Sequence, residues 1–303
     1  METNRAMPYK KPTFHKTFFE IVDKYNGFII DIWGILHNGI SVYPEAINSL
    51  KYLNKKNKKV VLLSNAPRRN YAVIEMMQNI GFPTDIIQDI ITSGEATYIE
   101  LKDIAHKKYG RTLYHIGPER DFSVFEDLPY HKAKIINEAD FILATGMTSF
   151  DQTLEEYLPI LDQGLNKNLP LICANPDKIV KIGDQLPACA GAMAKYYEDK
   201  GGDVIYHGKP HSAIYEMAYQ KLCSETPIQP SKILCIGDSL DTDILGGNTM
   251  GMDTAWVTDK GIHAREIQTL ETFEDRESAI QNICHKHGIF PTFCVPSFIC
   301  KDV

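Results

Sequence analysis

The chain has 303 residues, of which 44% are hydrophobic and 23% charged, and its formal net charge is −7 at pH 7. This length predicts two domains, and the acidic balance argues against a general nucleic-acid-binding protein. No apolar stretch approaches the ~20 residues that a transmembrane helix needs, and the seven cysteines stand singly, as is typical of reduced thiols. Because the polar, basic arm of residues 1–16 lacks the apolar segment of a signal peptide, we expect a cytoplasmic protein that binds neither membranes nor nucleic acid.

The first predicted strand ends in a single carboxylate. Residues 27–30 are small or apolar and lead directly into Asp31, which is typical of a strand buried on both faces of a parallel sheet. Gly34 then permits a sharp turn. Because ligands of open α/β sheets bind at the carboxyl ends of the strands, Asp31 stands where a carboxylate can take part in chemistry. A strand-end aspartate that caps the next turn is the alternative.

The second predicted strand, residues 60–63, follows a helix that Pro44 opens and ends in Ser64, Asn65 and Ala66. A hydroxyl group and backbone N–H groups just ahead of a helix suit a phosphate group. An ordinary turn with a helix cap is the alternative.

Residues 94–203 predict a second α/β unit, because strand and helix patterns alternate through them. The strands that complete the first sheet follow only after this block, so we interpret it as an insertion. The predicted domains are a core of residues 1–93 and 204–303 and an inserted domain of residues 94–203. Strands within the insertion are expected near Leu113, Phe141 and Leu171.

The turn Gly208-Lys209-Pro210 comes directly before a predicted helix. A lysine in such a turn can present one ammonium group rigidly. Because most lysines face solvent, a solvated side chain is the alternative.

Three carboxylates follow the buried strand of residues 232–236, namely Asp238, Asp241 and Asp243. Their mutual repulsion is costly unless a cation lies among them. Oxygen ligands with no nearby His or Cys favour Mg²⁺, and a solvated acidic turn is the alternative. Together, these segments predict that Asp31 attacks phosphorus, that Ser64 and Lys209 hold the phosphoryl oxygens, and that Asp31 and Asp238 share Mg²⁺.

The C-terminal tail carries cysteines and histidines that could be read as zinc ligands: Cys284, His285, His287, Cys294 and Cys300. Their spacing matches no standard zinc pattern. We therefore expect an apolar segment, residues 290–296, that packs back on the core.

These motifs, in this order, resemble the haloacid dehalogenase superfamily of phosphohydrolases, and in particular its subclass IIA, the NagD-like and p-nitrophenyl-phosphatase-like group. The resemblance implies an α/β fold, with a Rossmann-like parallel-sheet core and an inserted cap domain of the C2 type that selects the substrate. The matching segments are residues 31–36, 63–65, 208–210 and 237–244, with 174–177 and 187–192 in the cap.

The family pattern also implies roles for individual residues. Asp31 is implied to be nucleophile and metal ligand, Asp238 a metal ligand, and Asp243 a residue that orients the metal or its water. Lys209 is implied to be catalytic. The residues implied to bind phosphate or substrate are Trp33, Gly34, Ser64, Asn65, Ala66 and Lys209 in the core, and Asn175 and Asp177 in the cap.

One departure from that family matters for catalysis. The family usually has a second aspartate two residues after the nucleophile, which protonates the leaving oxygen, and this chain has Trp33 there. The backbone carbonyl of Trp33 can still bind Mg²⁺, but its indole is no acid at neutral pH. His37 is the nearest candidate replacement acid, and a loop histidine that touches the cap is the alternative.

We therefore expect a Mg²⁺-dependent phosphatase of a small phosphorylated metabolite. The loss of the acid predicts slow turnover, activity limited to esters with good leaving groups, or a replacement acid, and these alternatives stay open. A protein of the same fold that binds such a metabolite with little turnover is the second hypothesis. A homodimer formed through the cap is a further one. A dinucleotide-binding oxidoreductase is set aside, because no Gly-x-Gly-x-x-Gly follows the first strand.

Overall fold

A computed structural model of the protein describes residues 11–149, 151–181 and 185–300. Within these residues the strands form two sheets, and every strand pair in both is parallel. The larger sheet contains β1 (Thr13–Phe14), β2 (Gly27–Asp31), β3 (Lys59–Ser64), β4 (Asp89–Thr92), β10 (Ile233–Gly237), β11 (Asp253–Val257) and β12 (Phe293–Val295). The smaller sheet contains β5 (Thr112–Ile116), β6 (His131–Lys132), β7 (Phe141–Ala144), β8 (Leu171–Cys173) and β9 (Val204–Tyr206).

The strand order places the functional loops side by side. In the larger sheet the order is β1-β12-β11-β10-β2-β3-β4, so β2 lies between β10 and β3. In the smaller sheet the order is β6-β5-β7-β8-β9. The three motif-bearing strands β10, β2 and β3 are thus direct neighbours, and their carboxyl ends lie at one edge of the larger sheet.

Helices flank both sheets. Three of them adjoin π-helical turns: Leu101–Ala105 links α4 to α5, and Leu240–Ile244 leads into α9. The helices are α1 (Phe19–Val22), α2 (Pro44–Lys55), α3 (Asn70–Asn79), α4 (Ser93–Glu100), α5 (His106–Lys108), α6 (Leu158–Asn166), α7 (Ala190–Asp199), α8 (Ser212–Leu222), α9 (Leu245–Thr249), α10 (Ala264–Gln268) and α11 (Phe273–His287).

Strand β2 is buried along its whole length, as its apolar sequence predicts. Phe28 and Ile30 pack in one apolar cluster with Leu50 of α2, while Ile29 packs in another with Ile214 of α8. Successive side chains of a strand point to opposite faces, so helices cover both sides of the sheet. This burial fixes the position of Asp31 at the strand end.

The ends of the chain differ in part from expectation. The expected tail segment packs on the core as β12, which confirms that prediction. The arm expected for residues 1–16 is wrong in its last part, because Thr13 and Phe14 pair with β12. Residues 1–10 lie outside the described residues.

The predicted boundary at residue 203 is also wrong for one strand. β9 pairs with β8, with Ile205 opposite Ile172, so it belongs to the smaller sheet and not to the core. The reason is that β9 joins a sheet by pairing with β8, and the choice of partner strand is not encoded in a local pattern. The division of the chain into core and inserted domain otherwise stays a prediction.

None of the helices that the structure describes is long and apolar enough to cross a membrane.

The two sheets meet at the ends of their strands. Asp177, which follows β8, accepts a hydrogen bond of 2.8 Å from Asn65, which follows β3. Asp121, which follows β5, lies with a carboxylate oxygen 3.8 Å from Nε of Arg68 in the loop after β3. Since ligands of parallel sheets bind at the carboxyl ends of the strands, two such edges face each other here.

Candidate active site

Lys209 lies at the centre of the site. Its Nζ donates to Oδ1 of Asp31 at 2.5 Å and to Oδ1 of Asp243 at 2.7 Å, and all three side chains are buried. Burial by itself lowers the pKa of this ammonium group, but the neighbouring carboxylates outweigh it and raise the pKa above its usual value. Lys209 is therefore a fixed positive charge beside Asp31.

Three carboxylates surround one point in space. Asp31, Asp238 and Asp243 each offer an oxygen, and these oxygens all lie within 4.8 Å of one another. Burial raises the pKa of Asp31 to about 7 against the attraction of Lys209. Burial, and then the charges of Asp31 and Asp243, raises the pKa of Asp238 well above its usual range.

This donor set fits a divalent cation. Gathered carboxylates repel one another unless a cation offsets their charge, and Mg²⁺ prefers oxygen ligands. The fit supports the predicted metal ligands Asp31, Asp238 and Asp243. The role of the Trp33 carbonyl as a further ligand stays a prediction.

Two glycines allow the carboxylates to approach so closely. Gly34 has φ +83°, and a Cβ there would lie 1.9 Å from Oδ2 of Asp238. A Cβ on Gly237 would lie 2.0 Å from Cγ of Asp243. The π-helical turn that follows returns Asp243 toward the strand end, where Oδ2 of Asp243 accepts from the backbone N–H of Ser239 at 3.2 Å.

The loop after β3 supplies the positions predicted to bind phosphate. Oγ of Ser64 accepts from the backbone N–H of Ala66 at 3.1 Å. Asn65 accepts from the backbone N–H of Lys209 at 2.7 Å and donates to its carbonyl at 3.0 Å. Asn65 thus holds the backbone of Lys209, a contact that its sequence position did not reveal.

The predicted substrate residues of the inserted block also reach the site. Oδ1 of Asn175 accepts from the backbone N–H of Asp177 at 3.0 Å, which shapes the loop. Asp177 in turn binds Asn65, and burial raises its pKa above the usual value. These contacts bring Asp177 next to Lys209, while direct contact with a substrate stays a prediction.

Trp33 contacts both the inserted block and the core. Its indole N–H donates to the backbone carbonyl of Lys181 at 3.0 Å, and Nζ of Lys181 donates to the carbonyl of Gly261 at 3.1 Å. The indole ring packs edge-on against His37, with centroids 5.3 Å apart, and a Cβ on Gly39 would lie 2.2 Å from it. The usual acid position thus holds a residue that ties the inserted block to the core.

The surroundings of His37 argue against it as the replacement acid. Its side chain is 0% exposed, and its Nδ1 accepts from the backbone N–H of Gly39 at 2.9 Å. Burial, aided by the charge of Arg68, lowers the pKa of His37 to about 4. Burial therefore favours the neutral ring near pH 7 and argues against His37 as the replacement acid. The sequence did not show this burial.

The zinc alternative for the tail finds no support in the geometry. Cys284 and Cys294 pack in an apolar cluster with Trp256. Across the described ranges, Asp31, Asp238 and Asp243 form the one group of three or more acidic, His or Cys side chains spaced to hold a metal ion.

The fold and the site define a class of protein: a parallel α/β enzyme in which a strand-end aspartate, a buried lysine and a carboxylate cluster lie beneath a second sheet. Comparison with known proteins agrees with this class. Residues 28–131 match the family model of haloacid dehalogenase-like hydrolases, and residues 206–281 match a second model, described as HAD-hydrolase-like.

A solved structure of a haloacid dehalogenase-like hydrolase from Brucella suis is 33% identical and covers 82% of this chain and 94% of its own, with a TM-score of 0.76. The chain therefore belongs to the haloacid dehalogenase-like hydrolases, which confirms the resemblance.

Two more distant relatives have phosphatase names. The p-nitrophenyl phosphatase from Archaeoglobus fulgidus is 22% identical, covers 90% of this chain and 97% of its own, and has a TM-score of 0.66. An acid sugar phosphatase from Staphylococcus saprophyticus is 23% identical over 266 residues, which are 86% of this chain and 98% of the relative.

Proposed function

We propose that the protein is a Mg²⁺-dependent phosphatase that hydrolyses a small organic phosphate monoester through Asp31. The observation that carries this proposal is the ammonium group of Lys209, held 2.5 Å from Asp31 beside three gathered carboxylates. The phosphatase names of the relatives support the reaction type. The two names refer to esters with different leaving groups, so they do not identify the substrate of this protein.

Asp31 is the nucleophile. One of its oxygens attacks phosphorus, a bond between Asp31 and phosphorus forms, and the bond between phosphorus and the ester oxygen breaks. Water then attacks the phosphorylated aspartate, which releases inorganic phosphate and restores the carboxylate. Lys209 and the hydroxyl group of Ser64 offset the charge of the phosphoryl oxygens in both steps.

The carboxylates of Asp31, Asp238 and Asp243 would hold the cation. When bound, Mg²⁺ supplies positive charge that lets a carboxylate approach an anionic phosphate ester.

Trp33 limits the choice of leaving group. Its indole N–H is engaged with the Lys181 carbonyl and is no acid, so the departing oxygen leaves without a positioned proton donor from this residue. Esters with good leaving groups are hydrolysed fastest. A protein that mainly binds a phosphate ester, with little turnover, is the second candidate, and the same contact of Trp33 favours it.

The test compares the wild type with Asp31→Asn on p-nitrophenyl phosphate in the presence of Mg²⁺. We expect kcat to fall on the order of 10⁴-fold, because the amide is a poor nucleophile. Asp241→Asn is the matched control: this aspartate comes from the same acidic turn, but its side chain is exposed and pairs with His287. Equal kcat values for the wild type and Asp31→Asn contradict the proposal.

A further inference from the structure

Tyr215 is a buried tyrosine beside the gathered carboxylates, and the proposed phosphatase reaction does not use it. It lies on α8, the helix that follows the turn of Lys209, and it is 1% exposed. Its hydroxyl oxygen lies 3.1 Å from the backbone carbonyl oxygen of Thr242 and 3.2 Å from that of Asp243. Tyr215, Asp31 and Asp243 line the same small gap in the interior. The phenol therefore contacts the turn that carries a predicted metal ligand.

The turn that Tyr215 contacts is the π-helical one, Leu240–Ile244. Such turns are rare and occur frequently at functional sites. Here the backbone carbonyl of Ser239 accepts from the N–H of Asp243 at 3.1 Å and from that of Ile244 at 3.2 Å. The first bond spans four residues and the second five, so the hydrogen bonds at the start of the turn do not select one helical spacing. A contact from outside the turn, such as that of the Tyr215 hydroxyl group, therefore helps to fix its backbone.

The backbone at Asp243 determines where its carboxylate points. Oδ1 of Asp243 accepts from Nζ of Lys209 at 2.7 Å, and Oδ2 accepts from the backbone N–H of Ser239 at 3.2 Å. Asp243 also offers an oxygen within 4.8 Å of oxygens of Asp31 and Asp238. A shift of the turn would change all of these distances together. Metal affinity is sensitive to such shifts, because residues that orient metal ligands typically contribute about 10- to 100-fold to it.

The ring and the hydroxyl group of Tyr215 have separate roles. The ring packs in an apolar cluster with Ile29 and Ile214, and a Cβ on Gly246 would lie 2.1 Å from its Cε2 atom. A phenylalanine ring would fill the same space. The hydroxyl group adds nothing to this apolar packing, and a buried hydroxyl group is costly unless it is hydrogen-bonded. Its function therefore lies with the two carbonyl groups that it meets.

We propose that Tyr215 is a positioning residue for the metal site. Its hydroxyl group holds the backbone of Thr242 and Asp243, and thereby directs the Asp243 carboxylate toward Lys209 and toward bound Mg²⁺. The segment that contains Lys209 and α8 thus contacts Asp243 at two points, the carboxylate and the backbone carbonyl. This inference rests on the proposed Mg²⁺ site and deepens it, because it names a residue outside the metal ligands on which the affinity for the cation depends.

Tyr215→Phe tests the proposal, because it removes only the hydroxyl group. Mg²⁺ alone is titrated into the metal-free, full-length protein and binding is measured by calorimetry. We expect the Kd for Mg²⁺ to rise about 10-fold, which is the lower end of the range for residues that orient metal ligands. In the same variant, kcat/KM for p-nitrophenyl phosphate is expected to fall at low Mg²⁺ and to recover as the Mg²⁺ concentration is raised.

Tyr219→Phe is the matched control. Tyr219 lies one turn further along α8, and its hydroxyl group donates to the backbone carbonyl of Ile228 at 3.1 Å, outside the metal-ligand turn. Both variants lose a hydrogen bond from a phenol to a carbonyl group, so we expect a decrease in Tm in both. Only Tyr215→Phe is expected to change the Kd for Mg²⁺.

Gly246→Ala disturbs the same contact from the other side. Its methyl group would displace the ring of Tyr215, and the hydroxyl group with it, so we expect the Kd for Mg²⁺ to rise in this variant too. Thermal unfolding of each variant verifies that it is folded.

Two results overturn the proposal. An unchanged Kd for Mg²⁺ in folded Tyr215→Phe shows that the hydroxyl group only stabilises the fold, whatever the change in Tm. An equal rise of the Kd in Tyr219→Phe shows a general loosening of α8. Failure of the phosphatase proposal is separate, because it appears as absent p-nitrophenyl phosphate hydrolysis by the wild type, while calorimetry still compares the affinities for Mg²⁺.

Discussion

The two ends of the site differ in how their polar atoms are paired. At the phosphoryl end, Lys209 binds Asp31 and Asp243 at 2.5 and 2.7 Å, and Asn65 binds the backbone of Lys209. Where the two sheets meet, the charged atoms of Arg68 and Arg120 lie 3.8 and 3.6 Å from the same carboxylate oxygen of Asp121, which is longer than a direct hydrogen bond. The first end is arranged before a ligand arrives, which is what stabilisation of a charged transition state requires.

Substitution of Lys209 tests the phosphoryl end, and it is expected to have the largest effect of the changes considered. In Lys209→Met we expect kcat/KM for p-nitrophenyl phosphate to fall about 10³-fold, because one fixed positive charge is lost. The free energy of unfolding falls by about 3–5 kcal/mol, because the buried carboxylates lose their partner. Steady-state kinetics and urea unfolding measure the two effects.

Lys221→Met is the control for this variant, because Lys221 is an exposed lysine paired with Asp89. Its stability is expected to stay within about 0.5 kcal/mol of the wild type. Wild-type kinetics in Lys209→Met would contradict this view, because the ammonium group at the phosphoryl end would then have no catalytic role.

Substitution of Trp33 tests whether the missing carboxyl group at this position limits turnover. Trp33→Asp restores a carboxyl group at the usual acid position, and we expect it to raise kcat for alkyl phosphates by about 10- to 100-fold, toward the lower part of the range for acid catalysis. Aryl phosphates gain less, because their leaving groups need no proton. Comparison of kcat for hexyl phosphate and p-nitrophenyl phosphate measures the difference.

Trp33→Phe separates the effect of a new acid from the effect of removing the indole. It keeps a ring beside His37 and Gly39 but loses the hydrogen bond to Lys181, so no gain in alkyl phosphate turnover is expected. An equal gain in both Trp33 variants would show that the indole blocks the site, and no gain in either would show that the proton comes from elsewhere.

The pH dependence of metal binding is the smallest expected effect. Burial raises the pKa of Asp31 to about 7 from the ordinary 3.8. In metal-free protein, the contribution of protonated Asp31 to stability is therefore fully present below pH 3.8 and lost as the pH rises through about 7. Mg²⁺ competes with this proton, so its stabilising effect grows over the same range.

We expect Mg²⁺ to raise Tm by more at pH 8 than at pH 6, with about 2–4 °C for each kcal/mol of stabilisation. Differential scanning calorimetry with and without Mg²⁺ measures this. Asp238→Asn is expected to lose most of the shift, and Asp241→Asn to keep it. A larger shift at pH 6 would show that these carboxylates do not bind the metal.

The sequence by itself determined the strands that carry the phosphoryl end. The apolar runs of β2, β3 and β10 predicted buried parallel strands. Asp31 and Ser64 are the last residues of β2 and β3, and Asp238 directly follows β10, so all three lie at the carboxyl ends as expected. It also determined the family, which the comparisons confirm. The reason is that strand burial and strand-end chemistry are both local, so neighbouring residues encode them.

Only the tertiary structure decided the partners of these residues. Trp33 bonds to Lys181, 148 residues away, and Asn65 bonds to Lys209, 144 residues away. The pairing of β9 with the smaller sheet and the burial of His37 likewise depend on distant segments. Periodicity reports which face of an element is buried and not which other element covers it, so the seam between the two sheets could be read only from the folded chain.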